Sequence, residues 1–399
     1  MKEQLQRRLI PTYFNEFQCI GGACEDTCCA GWRIDIDQKT FKKYKKESNL
    51  NIKKELQKNI KRNRSADVNE FNYGQFKMDD NNACTMLTKD GLCSIQNILG
   101  AEALCHTCTV YPREIATINN IFEKTLTLSC PEAARIILNR PEGLDFIEEE
   151  GIESIPSRKD FTQSNKENEL FWKIRIFMID TLQNRKHSLE TRLLIIAMFL
   201  QKYIELKSLN AQTIEPLVQK YNKYLNMSDL HTIFNKIPVH YETQFQISLS
   251  ILNHSFSQEY NNLTDIVKNK LKLHANNLLE ESIKEFQISL NQVYKPFIKN
   301  YAFILENYLV NAIFEKIKQA NPQHIIDSFT SICVDFAMLR IFISGYLSNS
   351  ESLLEDAIYI VQKYSKSLSH NPIYKSEISK ILQQNHASIL SQITMMIRI

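Results

Sequence analysis

Downstream of about residue 164 the apolar positions recur at steps of three and four, whereas upstream of about residue 135 they alternate or fall into short clusters. Leu170, Ile174, Phe177, Met178 and Leu182 form one face of a helix. Ser164-Asn-Lys-Glu167 just before them has the form of a capping box, in which hydroxyl and carboxylate each take the other residue's amide. The same periodicity predicts helices over about 188–206, 213–224, 240–253, 260–287, 289–318, 324–347, 351–367 and 375–396. Upstream, Trp32, Ile34 and Ile36 alternate with Arg33, Asp35 and Asp37, which predicts a short half-buried strand. Lys89-Asp90-Gly91 is a tight-turn sequence, and Asn119-Asn120 separates two β-prone runs that read as a hairpin ending before Cys130. Residues 141–156, with Glu148-Glu-Glu150 and Pro156, read as a solvated connection.

Glycine follows the same division. Eight of the nine lie at or before Gly151, and prolines are well spaced in the remainder, as suits long helices joined by short loops. No fixed repeat period is present, which favours an irregular bundle over a solenoid. The expectation is a mainly α protein: a small cysteine-rich metal-binding module with short strands over 1–140, then a large irregular helical bundle over 141–399.

At 399 residues, 43% hydrophobic and 23% charged, the composition excludes wholesale disorder. A formal charge of +3 is too mild to indicate a nucleic-acid partner. Residues 39–64 hold eleven Lys or Arg against Glu47 and Glu55, but Ile52, Leu56 and Ile60 give that segment a buried stripe and make a solvated helix face the simpler reading. The N-terminus has no apolar stretch of secretory type, and the longest apolar run, Leu193–Leu200, falls short of a bilayer span. These features predict a cytoplasmic protein with no membrane partner.

Nine of the ten cysteines fall between Cys19 and Cys130. In a reducing compartment such density points to metal ligands rather than disulfides. The pair Cys105-x2-Cys108 has the bite of a single ion, whereas adjacent Cys28 and Cys29 fit two neighbouring centres or one cluster. Four thiolates saturate a zinc ion or a [4Fe–4S] core, so nine exceed one mononuclear site. By spacing alone a purely structural zinc domain is as good a reading as a catalytic cluster. Cys333, within an apolar helical run, reads as a core residue, and His106 as a flanking residue rather than a ligand.

The stretches IPTYFNEFQCIGGACEDTCCAGWRIDID, CTMLTKDGLCSIQNILG, CTVYPRE and LSCPEAAR, covering about residues 10–135, resemble the bacterial flagellin lysine-N-methylase family with its zinc- or iron-chelating N-terminal module. LENYLVNAIFEK at 305–316 is a looser match. The resemblance implies a protein-lysine N-methyltransferase that takes methyl groups from S-adenosylmethionine, acts on flagellin or another lysine-bearing protein, and carries a [4Fe–4S] cluster, zinc or both. It makes Cys19, Cys24, Cys28, Cys29, Cys84, Cys93, Cys108 and Cys130 the metal ligands, with Cys105 an additional candidate.

The residues themselves exclude two common solutions. No glycine-rich strand–turn–helix of a doubly wound methyltransferase is present, and the Cys-x3-Cys-x2-Cys spacing of radical enzymes stops after Cys28, with Gly31 in the third position. Tyr111 and Arg113 are catalytic candidates, and Trp32 and Arg113 cofactor-binding candidates, because they neighbour ligand cysteines. A tyrosine serves as hydrogen-bonding group or base, and an arginine grips a carboxylate by its fork. The competing reading is a non-enzymatic zinc- or iron-binding module for metal handling or protein interaction.

Overall fold

The computed structural model describes residues 5–152, 157, 159–206, 208–254, 258–273, 279–368, 374 and 388–399. Strand β1 (Leu5–Pro11) leads into the first cysteine segment, followed by β2 (Asp35–Ile36), α1 (Gln38–Lys45), α2 (Leu50–Asn59), β3 (Ile60–Arg62) and β4 (Gly74–Phe76). Three short helices, α3 (Ser94–Leu99), α4 (His106–Val110) and α5 (Pro131–Leu138), bracket the hairpin of β5 (Arg113–Ile118) and β6 (Ile121–Leu126). Next come β7 (Phe146–Ile152) and β8 (Lys159–Phe161).

The helical portion comprises α6 (Asn165–Gln183), α7 (Leu189–Ile204), α8 (Ala211–Leu225), α9 (Leu230–Asn235), α10 (Tyr241–Leu252), α11 (Gln258–Lys270) and α12 (Leu279–Ser289). After a π turn at Leu290–Tyr294 follow α13 (Lys295–Lys316), α14 (Pro322–Tyr346), α15 (Leu353–Leu368) and α16 (Ile389–Ile397).

Local signals held where their chemistry is short-range. Ser164 and Glu167 form the capping box that starts α6. Asn119 and Asn120 both adopt positive φ, as a two-residue hairpin turn demands, and Gly91 does so in the Lys89–Gly91 turn. The expected strand at Trp32–Ile36 shrinks to β2, although Ile34 and Ile36 are buried as their alternation requires. The single helix expected over 260–287 divides, because Lys272 takes a left-handed φ just past α11. Of the helix expected at 375–396, residues 375–387 lie outside those described.

The expected solvated connection at 141–156 is instead largely strand β7, paired antiparallel with β1 along its whole length. The acidic run is explained by partners: Glu148 pairs with Arg7 at 2.6 Å and Glu149 with Arg8 at 2.7 Å across the two strands. The five-stranded sheet runs β7-β1-β6-β5-β8, with β1 parallel to β6 and β5 parallel to β8.

Two hydrophobic cores form. The smaller joins Ile34, Ile36, Phe41, Tyr44, Ile52, Leu56, Ile60, Phe76, Met86 and Ile95 with Cys84 and Cys105. The larger unites the helical portion with Tyr13, Phe17, Ile118, Leu126, Leu128, α5 and Leu144. The cores part near residues 17–34 and 105–118, because the hairpin and α5 bury their apolar faces against helices. The lysines of α1 and α2 point outward while Phe41, Tyr44, Ile52 and Leu56 point inward, which gives residues 39–64 the expected buried stripe. Among the described residues no helix is long and apolar enough to cross a membrane.

Candidate metal centre

The smaller core draws distant cysteines together. The Cys84 amide donates to the Cys29 carbonyl at 2.6 Å, and the Gly31 amide to the Asn82 carbonyl at 2.9 Å, which lays the first cysteine segment along the second. Leu87 and Cys93 pair across the turn that Gly91 permits, returning Cys93 toward Cys84. The third segment is tied in by the Tyr44 hydroxyl, which donates to the Ala103 carbonyl at 2.7 Å, and by the His106 amide, which donates to Asp37 at 2.9 Å. The His106 ring packs against Phe71.

Two thiol neighbourhoods result. Cys28, Cys29, Cys84, Cys93, Cys105 and Cys108 interact electrostatically with one another, and Cys19, Cys24 and Cys130 form a second group. All nine are free thiols, and Cys333 is buried far off in the α14 core.

The electrostatics of both groups follow from burial and crowding. Burial, with help from neighbouring thiols, pushes Cys84 up to about 11 and raises Cys93. The mutual hydrogen bond with Cys29, and then burial, raise Cys28 further. Cys105 and Cys108 share a hydrogen bond at 3.6 Å that lowers the first and raises the second. In the second group burial pushes Cys130 up to about 11 and raises Cys24. Thiolates crowded this way repel one another unless a cation is added to the group, when the sign of the effect inverts.

Thiolate sulfurs are the donors that zinc and iron–sulfur centres take. Backbone amides two or three residues on act against the effect of burial at Cys24, Cys84, Cys93, Cys105 and Cys130. Cys93, Cys105 and Cys130 occupy the cap positions of α3, α4 and α5 without making a side-chain cap hydrogen bond. Four sulfurs on a tetrahedral zinc stand about 3.8 Å apart, close to the Cys105–Cys108 separation. As they stand, no three His, Cys, Asp or Glu side chains among the described residues are arranged to hold an ion.

Beneath the cysteines runs a buried polar seam. Glu123, Thr125, Thr127 and Ser129 alternate along β6 and its continuation to Cys130, and all are buried. Glu123 binds Arg175 and Lys318 in a buried triad. Burial works to raise its carboxyl, but the two cations outweigh burial and hold it below the ordinary value. Lys318 is pulled down, first by burial, because it shares Glu123 with the like-charged Arg175. Thr125 donates to Asn311 of α13 at 2.9 Å, and both bind the Tyr13 hydroxyl. Ser129 lies 3.1 Å from the Tyr111 hydroxyl and 3.2 Å from that of Thr127.

The candidate pocket residues meet here. Trp32 stacks on Tyr111 with ring centroids 5.6 Å apart, and its indole N–H donates to the Cys28 carbonyl at 2.9 Å. Burial pushes the Tyr111 phenol far above its ordinary value, so it stays protonated and acts as a hydrogen-bonding group, not as a base. Arg113 lies 5.0 Å over the Phe17 ring beside Cys19 and Cys130, and among the described residues no carboxylate pairs with it.

Sequence reasoning missed Asp26 and the face of α15 opposite it. Lys363 donates to Asp26 at 2.7 Å, Lys366 at 2.5 Å and Gln362 at 3.2 Å, while Gln362 also donates to the Ser129 carbonyl at 2.8 Å. The signal lay in the i, i+1, i+4 spacing of Gln362, Lys363 and Lys366, which puts three long polar side chains on one side of the helix.

The description "FliB lysine N-methylase C-terminal domain" matches residues 175–396. Among curated proteins, the chain is 38% identical over 138 residues to a flagellar biosynthetic protein FliU of Salmonella muenchen, 34% of this chain and 78% of that one. It is 37% identical over 142 residues to a lysine-N-methylase of Salmonella typhimurium, 35% of this chain and 34% of that one, and equally so to a lysine-N-methylase of Salmonella choleraesuis. The matched part thus spans about a third of the two methylases. No solved structure matches the chain.

Proposed function

The chain belongs to the FliB lysine N-methylase family, and from that premise we propose that it methylates lysine side chains of a flagellin-type protein, using S-adenosylmethionine and a cysteine-ligated centre in the reducing cytoplasm. The observation that carries the centre is the gathering of six sulfurs from three distant segments around one small core, with three more beside them.

In this reading Cys28, Cys29, Cys84, Cys93 and Cys108, with Cys105, hold an iron–sulfur cluster or zinc, and Cys19, Cys24 and Cys130 serve a second centre or complete the first. When bound, such a centre supplies Lewis-acid or electron-transfer chemistry next to the methyl donor. The chain's own residues do the rest. Arg113, with no carboxylate partner among the described residues, takes the carboxylate of the donor's amino-acid end by bidentate hydrogen bonding. The stacked Trp32 and Tyr111 rings offer an aromatic wall that favours a sulfonium cation. Tyr111, kept protonated and held by Ser129, orients groups and excludes water, so the acceptor amine is neutral before it is engaged.

The test is methyl transfer by protein purified without oxygen. Incubated with S-adenosylmethionine and flagellin, it is expected to add methyl-mass increments to lysine-bearing peptides in mass spectra, and chelator-stripped protein is expected to add none. Protein that carries zinc alone and transfers no methyl group would return the chain to metal handling.

A further inference from the structure

We infer that helix α15 is the positioning element of the cysteine-ligated centre, acting through Lys363 and Lys366 on Asp26. The inference rests on the proposed centre and adds to it the part of the helical domain that shapes the ligand set.

Asp26 lies between Cys24 and Cys28, in the segment that supplies ligands to both thiol groups. Its two carboxylate oxygens are divided between two ammonium groups: Oδ2 accepts from Lys363 at 2.7 Å and Oδ1 from Lys366 at 2.5 Å. All three side chains are at most 10% exposed. Surface ion pairs of lysine and aspartate are worth little, but a carboxylate gripped from both sides out of water has one position and one orientation.

The grip extends along the loop. Lys366 also donates to the Thr27 carbonyl at 3.3 Å, and a side-chain carbon on Gly31 would stand 3.6 Å from the Lys366 stem. Asp26 in turn accepts the Thr27 amide at 2.7 Å, and the Thr27 hydroxyl accepts the Cys29 amide at 3.1 Å. A chain of polar contacts therefore runs from α15 to the adjacent cysteines.

The same helix face holds the other group. Gln362 bridges Asp26 to the carbonyl of Ser129, the residue before Cys130. Cys24, Cys28, Cys29 and Cys130 are thus referenced to one surface of α15, although they come from segments a hundred residues apart. Two ammonium groups against one carboxylate also leave a net positive charge beside Cys28, and a thiolate-rich centre is net negative.

The test reads metal, not turnover. Wild-type protein and the Asp26→Asn, Lys363→Gln/Lys366→Gln and Lys363→Arg/Lys366→Arg variants are purified without oxygen. Iron, sulfide and zinc per chain, absorption spectra, far-ultraviolet circular dichroism and the rate of metal release to a chelator are then compared. Both charge-removing variants are expected to keep the helical signal and to release metal about ten-fold faster or more, the scale seen when groups behind metal ligands are removed. The arginine pair is expected to retain wild-type content and spectrum. Asp26→Asn protein with wild-type metal content, spectrum and release rate would overturn the inference. Should Asp26→Asn lose its helical signal, Lys366→Gln alone, which leaves Lys363 on Asp26, decides by the same release rate and spectrum. Wild-type protein without bound metal would instead remove the centre on which the inference rests.

Discussion

At the scale of single residues, a buried charge group fastens the β5–β6 hairpin to the helices. Glu123 is enclosed with Arg175 and Lys318, and Arg175 lies in addition over the rings of Phe171, Trp172 and Phe314. Removing one partner of a buried charge group leaves the others uncompensated, so Glu123→Gln is expected to lose ~3–5 kcal/mol in denaturant unfolding at neutral pH. The pH dependence follows from the direction of its shift. The carboxyl lies below its unfolded value, so its stabilisation is full above the ordinary glutamate range and fades as pH falls toward the folded value. The gap between wild type and variant is therefore expected to narrow in acid, and a gap independent of pH would show that Glu123 is not ionised in the fold.

At the scale of elements, local rules were readable and pairing was not. The Ser164 capping box, the Asn119-Asn120 turn and the buried stripe of α2 are set by neighbours within four residues, so they could be read along the chain. Strand β7 was opaque because Glu148 and Glu149 make sense only opposite Arg7 and Arg8, some 140 positions away. The density of cysteines was legible, but not which thiols neighbour one another, and Asp26 and the α15 lysines become meaningful only when two distant segments touch. Gly74 in β4 is another such case: a side-chain carbon there would stand 2.2 Å from the buried Phe41 ring. Gly74→Ala is expected to destabilise the small module by ~1–3 kcal/mol through overpacking. Faster hydrogen exchange confined to β2, β3 and β4 would report it, and unchanged protection there would contradict the packing described.

At the scale of the whole molecule, the α15 grip on Asp26 ties the helical bundle to the first cysteine segment, while the seam from Glu123 to Ser129 lies within the larger core beside Leu126 and Leu128. Buried polar networks of this kind hold a geometry when every member is satisfied, at some cost in stability relative to an apolar interface. The proposed centre requires one thing above all, the ligation of an inorganic ion by sulfur. X-ray absorption at the iron and zinc edges of oxygen-free protein reads that directly. The account predicts a first shell of sulfur at ~2.3 Å, lost when Cys84 and Cys108 are both replaced by serine. A shell of nitrogen and oxygen only, or metal bound equally by the cysteine-to-serine protein, would contradict it.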